Sequence, residues 1–198
     1  HGAARTVTGS CHEFTLGDRR ILVDCGLFQG SRTLEGLNAG AFGFNPAKVD
    51  AVILTHAHID HSGLLPRLVA EGFTGRIWCT QPTADLLEYM LADAGRIQEA
   101  DTARRNRRRD RAGEDPFDPL YTEADAIAAW GQASPVELEE WFEPVPGIRA
   151  RLWNAGHILG SAIVKFTRNG RTIIFSGDLG NSPEPLLNDT ESPEGTNY

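Results

Sequence analysis

The sequence has few cysteines, no long apolar run and no excess of positive charge. Its three cysteines, Cys11, Cys25 and Cys79, show no CxxC spacing, which argues against a disulfide framework and against a thiolate zinc site. No apolar run approaches the length that crosses a bilayer, and the opening residues show no charged-then-apolar leader. We therefore expect a soluble protein with no membrane partner, for which a reducing cytoplasm is the simplest location.

The bulk composition fits one globular unit. The chain has 198 residues, of which 40% are hydrophobic, and this is enough for one sizeable core, so we expect a single α/β domain. The formal net charge of -8 argues against a general attraction to nucleic acid. The chain opens without a methionine and has Met90 as its only one, so we expect a piece of something longer.

Short β-type runs end in Gly, Asp or His, which are typical of the points where strands open into loops. The predicted strands lie within 19–26, 49–58, 75–80, 147–157, 161–170 and 171–180. The predicted helices cover 62–73, 82–113 and 122–132. An Asn169-Gly170 pair predicts a hairpin, and residues 112–121 predict a surface linker. Strands alternate with helices in the first half and cluster in the second, which predicts sheets sandwiched by helices.

The stretch "LTHAHIDH" places four metal-type ligands directly after an apolar run. His56, His58, Asp60 and His61 offer imidazole and carboxylate groups, which hold zinc where thiolates are absent. On an extended strand end His56 and His58 project to the same side, and the following turn can bring Asp60 and His61 to a neighbouring point. This spacing suits two adjacent metals better than one.

Three other strand ends carry the same chemistry, at His157, Asp178 and Asp24. Either His157 or Asp178 alone would be typical of a turn or a cap. Ionisable groups after apolar strands are costly to bury unpaired, so convergence on a cation accounts for all of them together. Asp24 alone fits a partner that orients a ligand as well as it fits a turn residue.

At this point the sequence resembles the metallo-β-lactamase superfamily, and more narrowly its β-CASP branch of RNA-processing nucleases. The motifs that carry the resemblance are "GAARTVTGSCH", "DCGLFQG", "LTHAHIDHSGLLPRL", "RIQEAD" and "SGDLGN". The branch cuts RNA phosphodiesters with two zinc ions. The resemblance implies an α/β fold of the αββα sandwich type.

The resemblance also implies a role for each candidate ligand. One zinc would bind His56, His58 and His157, and a second would bind Asp60 and His61. Asp178 would bridge the pair, and the two metals would lower the pKa of a water held between them. The catalytic residues would be Asp60, which orients or deprotonates the resulting hydroxide, and the bridging Asp178. Asp24 would steady the ligands.

In this branch an insertion domain and two further histidines follow the segment where this sequence stops. We therefore expect an incomplete sandwich, from which the first strand, the β-CASP insertion and the C-terminal part are absent. Residues 1–180 would form the N-terminal portion of the metallo-β-lactamase domain, and 181–198 a loop leading toward the absent insertion. The second metal site and the general acid would be incomplete. Glu194 resembles the acid of a branch motif, although no apolar strand precedes it.

Six arginines fall within "RRNRRRDR", toward the end of the predicted long helix. They are Arg104, Arg105, Arg107, Arg108, Arg109 and Arg111. One interpretation is a solvated helix end, where cations complement the macrodipole. The other is contact with RNA phosphates, which would make the affinity depend on salt.

Together these features predict a zinc-dependent ribonuclease domain with RNA as its substrate partner. A first alternative keeps the metals and hydrolyses a small ester, thioester or lactam, since fold does not fix function. A second is an RNA-binding scaffold that is inactive in this truncated form. A homodimer formed through parts outside this sequence, and DNA as a substrate, are left open.

Overall fold

The computed structural model describes residues 1–3, 6–181, 183 and 185–193. Two β-sheets lie face to face, and helices pack on the outer face of the first sheet. The predicted Glu194 lies outside the described residues. Residues 185–193 form turns and loop, and the expected role of 181–198 as a lead into a further domain stays a prediction.

The first sheet has five strands in the order β1-β2-β3-β4-β5. They are β1 His12–Leu16, β2 Arg19–Val23, β3 Ala51–Ile53, β4 Arg76–Cys79 and β5 Ala133–Pro135. Strands β1 and β2 form an antiparallel hairpin, while β2 to β5 run parallel to one another. The carboxyl ends of β2 and β3 therefore meet at one edge of the sheet, which places Asp24 beside the residues that follow β3.

The second sheet is an antiparallel meander of four strands. They are β6 Trp141–Val145, β7 Ile148–Asn154, β8 Ala162–Arg168 and β9 Arg171–Phe175. The predicted hairpin is confirmed between β8 and β9, where Asn169 and Gly170 have φ of 50° and 74°. Positive φ at both central residues is what a type I′ turn requires.

Among the described residues, five helices and one 3₁₀ turn connect the strands. They are α1 Arg32–Leu37, the 3₁₀ turn Pro46–Lys48, α2 Ile59–Ser62, α3 Leu65–Ala70, α4 Gln81–Ala112 and α5 Glu123–Trp130. The predicted helix over 62–73 is in fact split, because α2 ends at Ser62 and α3 begins at Leu65. Helix α4 ends at Gly113, whose φ of 71° gives the left-handed cap that glycine favours. Thr122 caps α5 through a reciprocal pair of hydrogen bonds with Asp125.

Alternation along the parallel strands divides the core into two layers. Ile21 and Ile53 face the second sheet and pack against its strands. Leu22 and Val52 face the opposite way, into a larger cluster with the helices. Because both faces of the central strands are buried, the loops at their carboxyl ends are held in fixed positions, and these loops carry the candidate site.

Candidate metal centre

The residues of "LTHAHIDH" take two conformations that together form the site. Thr55, His56 and Ala57 lie in the loop after β3, which bends at Thr55, and His58 is the cap from which α2 begins. Asp60 and His61 lie in the single turn of α2. The turn predicted after the strand is therefore a helical one, and it brings His61 back beneath His56, with ring centroids 4.1 Å apart.

Three imidazole rings converge at the first part of the site. The Nδ1 of His58 lies 3.1 Å from the Nε2 of His56 and 3.2 Å from the Nε2 of His157. One ligand atom from each of His56, His58, His157 and Asp178 lies within 4.8 Å of the others. A cluster of this kind could hold a metal ion, since imidazole nitrogen and carboxylate oxygen are the ligands that zinc accepts.

Asp178 faces two groups at once. Its Oδ2 lies 3.7 Å from the Nε2 of His157, while its Oδ1 lies 3.4 Å from the Nε2 of His61. Asp60 completes the second group, with its Oδ2 at 3.9 Å from the same Nε2 of His61. The second group thus contains Asp60, His61 and Asp178, and it shares Asp178 with the first.

Asp24 is buried and sits in a strained backbone conformation. It is only 1% exposed, and its φ of 63° lies in the left-handed region that few residues other than glycine adopt. Its carboxylate accepts hydrogen bonds from the backbone N–H and hydroxyl of Thr55 and from the hydroxyl of Ser10. The Nδ1 of His61 lies 2.7 Å from the same carboxylate. Asp24 therefore fixes the ring of His61 with its Nε2 toward Asp60 and Asp178.

The burial and charges of the site act in opposite directions on its histidines. Burial, followed by the neighbouring His61, His58 and His157, lowers the pKa of His56 to about 2. Burial and His157 also lower the pKa of His58. Burial disfavours the charged form of His61 as well, but the hydrogen bond and charge of Asp24 outweigh it and raise its pKa. His56 and His58 therefore favour the neutral form, which is the state in which imidazole binds a metal.

Two hydroxyl residues that sequence reasoning did not single out hold the ligands in place. The hydroxyl of Thr55 lies 3.0 Å from both Asp24 Oδ1 and His56 Nδ1, so that Nε2 of His56 stays free for a ligand. Ser161 accepts hydrogen bonds from the backbone N–H groups of His157 and Ile158. Serine and threonine are common in all loops, so their only sequence signal was nearness to a histidine, which is the next residue for Thr55 and four residues away for Ser161.

Two glycines permit the close approach of the site loops. A β carbon on Gly26 would overlap the backbone carbonyl of Asp60, so any side chain there would displace α2. Gly177 has a φ of 55° and lies against Thr55. The loop that carries Asp178 can therefore approach β3 only with glycine at this point.

A cavity of about 520 Å³ opens beside the second group. Its lining includes Asp24, His61 and Asp178, together with His12 and Phe175, whose rings are 5.7 Å apart. His12 was not singled out from the sequence. The cavity provides room for a substrate next to the carboxylates.

The arginines predicted to contact RNA lie away from the metal ligands. They occupy the last turns of α4, whose first turn abuts the loop of His157 through the hydrogen bond from Thr80 Oγ1 to the carbonyl of Gly160. The structure therefore brings together the predicted metal ligands and Asp24, and it leaves the arginines remote from them. In the described part of the chain, no helix is long and apolar enough to span a membrane.

Known proteins similar to this chain include several that are named as ribonucleases. Ribonuclease TTHA0252 of Thermus thermophilus is 40% identical over 192 residues, covering 97% of this chain and 40% of that protein. Transcription termination factor FttA of Methanocaldococcus jannaschii is 34% identical over 188 residues, covering 94% of this chain and 27% of that factor. Endoribonuclease YSH1 of Yarrowia lipolytica is 28% identical over 193 residues, 97% of this chain and 22% of that enzyme. The chain thus spans less than half the length of these curated relatives.

Solved structures agree on the fold. A metallo-beta-lactamase of Cronobacter sakazakii with a HARLDQ motif aligns with a TM-score of 0.53 and 22% identity, covering 93% of this chain and 58% of that one. At this identity the likeness shows the fold, and the predicted fold class is confirmed. The model of the metallo-beta-lactamase superfamily matches residues 5–196, and the chain therefore belongs to that superfamily, as its motifs indicated.

Proposed function

We propose that this chain is the metal-binding part of a β-CASP ribonuclease, which hydrolyses RNA phosphodiester bonds with two zinc ions. The observation that carries the proposal is the position of Asp178, whose two oxygens face two adjacent ligand groups. The 40% identity to a protein named as a ribonuclease supports RNA as the substrate.

The donor set fits zinc at both positions. His56, His58 and His157 would hold the first ion through three imidazole nitrogens. Asp60 and His61 would hold the second, and Asp178 would bridge the two. When bound, such a pair supplies Lewis acidity, which lowers the pKa of water and neutralises the charge of a phosphate.

The remaining residues position these groups and move protons. The carboxylate of Asp60 lies on the second-group side and is partly exposed, so it can accept a proton from a water near the phosphate. Asp24 acts through His61, because its hydrogen bond keeps the proton on Nδ1 and leaves Nε2 as the ligand atom. The cavity lined by His12 and Phe175 would receive the RNA strand beside this group.

The function is tested by offering the chain two substrates of different chemistry. We expect a labelled single-stranded RNA to be cleaved in a reaction that EDTA stops, and a chromogenic β-lactam to be hydrolysed far more slowly. Rapid lactam hydrolysis with intact RNA would favour a small-molecule hydrolase. RNA binding without EDTA-sensitive cleavage would favour a scaffold.

The metal count tests the assignment of ligands. By elemental mass spectrometry we expect about two zinc ions per chain, and about one in Asp178→Ala, because three imidazoles remain in the first group while the second keeps only Asp60 and His61. Asp93→Ala, which removes an exposed acid of α4, is the matched control and should keep the wild-type count. An Asp178→Ala chain that retains the full count would show that this carboxylate does not bridge.

A further inference from the structure

The second half of α4 contacts the rest of the chain along one face, where Asn106 and Arg109 hydrogen-bond to Phe117 and Asp115. The buried residues of this helix are Thr83, Ala84, Leu87, Leu91 and Gly95, all in its first half. From Arg96 to Ala112 the helix runs for about 25 Å without a buried residue. The side of the helix away from these contacts is exposed and open to another molecule.

Four arginines of this segment share one face. Arg104, Arg107, Arg108 and Arg111 follow the spacing i, i+3, i+4 and i+7, which places them on one side of a helix. We call these four residues the arginine stripe. Arg109 points elsewhere, because it pairs with Glu114 at 2.9 Å and lies 5.7 Å over the ring of Phe117.

The positive charge of the stripe is largely uncompensated. Arg104 pairs with the exposed Asp101 at 2.9 Å, whereas Arg107, Arg108 and Arg111 have no ion-pair partner among the residues that the structure describes. The helix macrodipole accounts only for cations in the last turn, and Arg104 and Arg107 precede it. On a chain with a net charge of -8, such a concentration of cations favours an anionic ligand.

The stripe is remote from the candidate metal centre. Helix α4 starts beside the loop of His157, since Thr80 Oγ1 donates to the carbonyl of Gly160 over 2.6 Å. Arg104 is therefore about 35 Å along the helix from that loop. A stacked strand carries a phosphate about every 3.4 Å, so about ten nucleotides would cover this distance.

We propose that the arginine stripe is a second RNA-binding surface, which holds backbone phosphates about ten nucleotides from the position of cleavage. The identity of the ligand rests on the proposed function. Guanidinium groups match phosphate oxygens in pairs, and the whole segment 104–111 contains no apolar residue, whereas a protein interface has an apolar centre. The surface therefore increases the affinity for RNA that is long enough to reach it, whatever the base sequence.

The test measures how the affinity for RNA depends on RNA length and on the charge of the stripe. Fluorescence anisotropy in EDTA measures the binding of labelled unstructured RNAs of about 6 and about 24 nucleotides to the chain. The variant is Arg107→Ser/Arg108→Ser, which removes two unpaired cations of the stripe. The matched control is Arg168→Ser/Arg171→Ser, which removes two exposed cations at the tip of the β8–β9 hairpin.

For the stripe variant we expect about ten-fold weaker binding of the long RNA at low salt, and a salt slope smaller by about 1.4, because two phosphate contacts are lost. The short RNA, which cannot reach both the stripe and the metal centre, should bind the unmodified chain more weakly than the long RNA, and the control should keep both affinities. Unchanged long-RNA binding in the stripe variant, or an equal loss in the control, would overturn the inference. So would a change in sedimentation of the variant with RNA binding intact, which would assign the stripe to a protein partner.

The two proposals fail in different ways. Long-RNA binding that depends on the stripe, without any EDTA-sensitive cleavage, would refute the proposed ribonuclease and leave the stripe as an RNA surface. Cleavage that proceeds with binding independent of the stripe would refute the stripe alone.

Discussion

Replacing Asp24 by alanine should destabilise the fold by about 3–5 kcal/mol and weaken zinc binding by about 10–100-fold. The carboxylate is buried and serves Thr55, Ser10 and His61, so its loss removes the acceptor of four buried polar groups. The ring of His61 would also lose the contact that directs its Nε2 toward Asp178. Urea unfolding in EDTA measures the first effect, and competition with a chromophoric chelator measures the second.

The variant Asp24→Asn removes the charge of this side chain and keeps its size. Asparagine also tolerates the left-handed backbone, so this variant should fold better than Asp24→Ala but should still bind zinc weakly, because a neutral amide makes the His61 ring a less basic and less well oriented ligand. Asp18→Ala, at an exposed position between β1 and β2, controls for loss of one carboxylate. A wild-type unfolding midpoint and zinc affinity in Asp24→Ala would show that this residue is a simple turn residue.

The acid–histidine pair also predicts how the stability of the metal-free chain depends on pH. The pKa of His61 is raised in the folded state above its usual 6.5. The stabilisation from its charged form is therefore complete below the unfolded pKa and is lost as the pH rises through the folded value. Zinc binding has the opposite dependence, because the metal must displace the proton from Nε2. Asp24 thus stabilises the same ring in both states, with a proton at low pH and with a metal at higher pH.

The metal ligands could be predicted from the sequence because they follow apolar strands in short loops. The ends of β2, β3, β7 and β9 lead to Asp24, the histidine run, His157 and Asp178, and the two sheets bring these ends to one edge. What the sequence could not distinguish was the role of Asp24, since a turn aspartate has the same local pattern. The positive φ and the hydrogen bonds to Thr55 favour the role of a positioning residue.

The strands that sequence reasoning missed all lie at sheet edges. Strands β1 and β5 are the outer strands of the first sheet, and β6 is an outer strand of the second. An edge strand is covered on fewer sides, so its apolar pattern is weak, as in "HEFTL" of β1. Strands β5 and β6 also contain Pro135 and Pro144. Edge strands tolerate proline, but a proline in the sequence argues against a strand.

The long helix α4, unlike the edge strands, was predicted from the sequence. Its length was predicted to within one residue at each end, from the periodic pattern and from the glycine at 113. Which side of its second half is covered was not predictable, because helix formers with charged side chains occur all around that part of the helix. The hydrogen bonds of Asn106 and Arg109 to Phe117 and Asp115 identify the covered side.

Asp60→Asn should lower the rate of RNA hydrolysis by about 10²–10⁴-fold, the range that a general base contributes, while leaving the fold intact. Its carboxylate is partly exposed and lies 3.9 Å from His61, and no buried group depends on it as Thr55 depends on Asp24. The amide keeps an oxygen toward the second ion, and His61 and Asp178 remain, so the zinc count should stay close to two. Single-turnover cleavage of a labelled RNA gives the rate, with Asp93→Asn as the control for loss of an exposed acid.

The relation between rate and metal content decides which role Asp60 has. Loss of activity with the zinc count retained means that Asp60 moves a proton, because the ions and their charge are still present. Loss of both together would make Asp60 a ligand only, and the proton would then have to pass to another group of the cavity. His12 is the next titratable side chain in that cavity, so His12→Asn measured beside Asp60→Asn would show whether the proton takes that route.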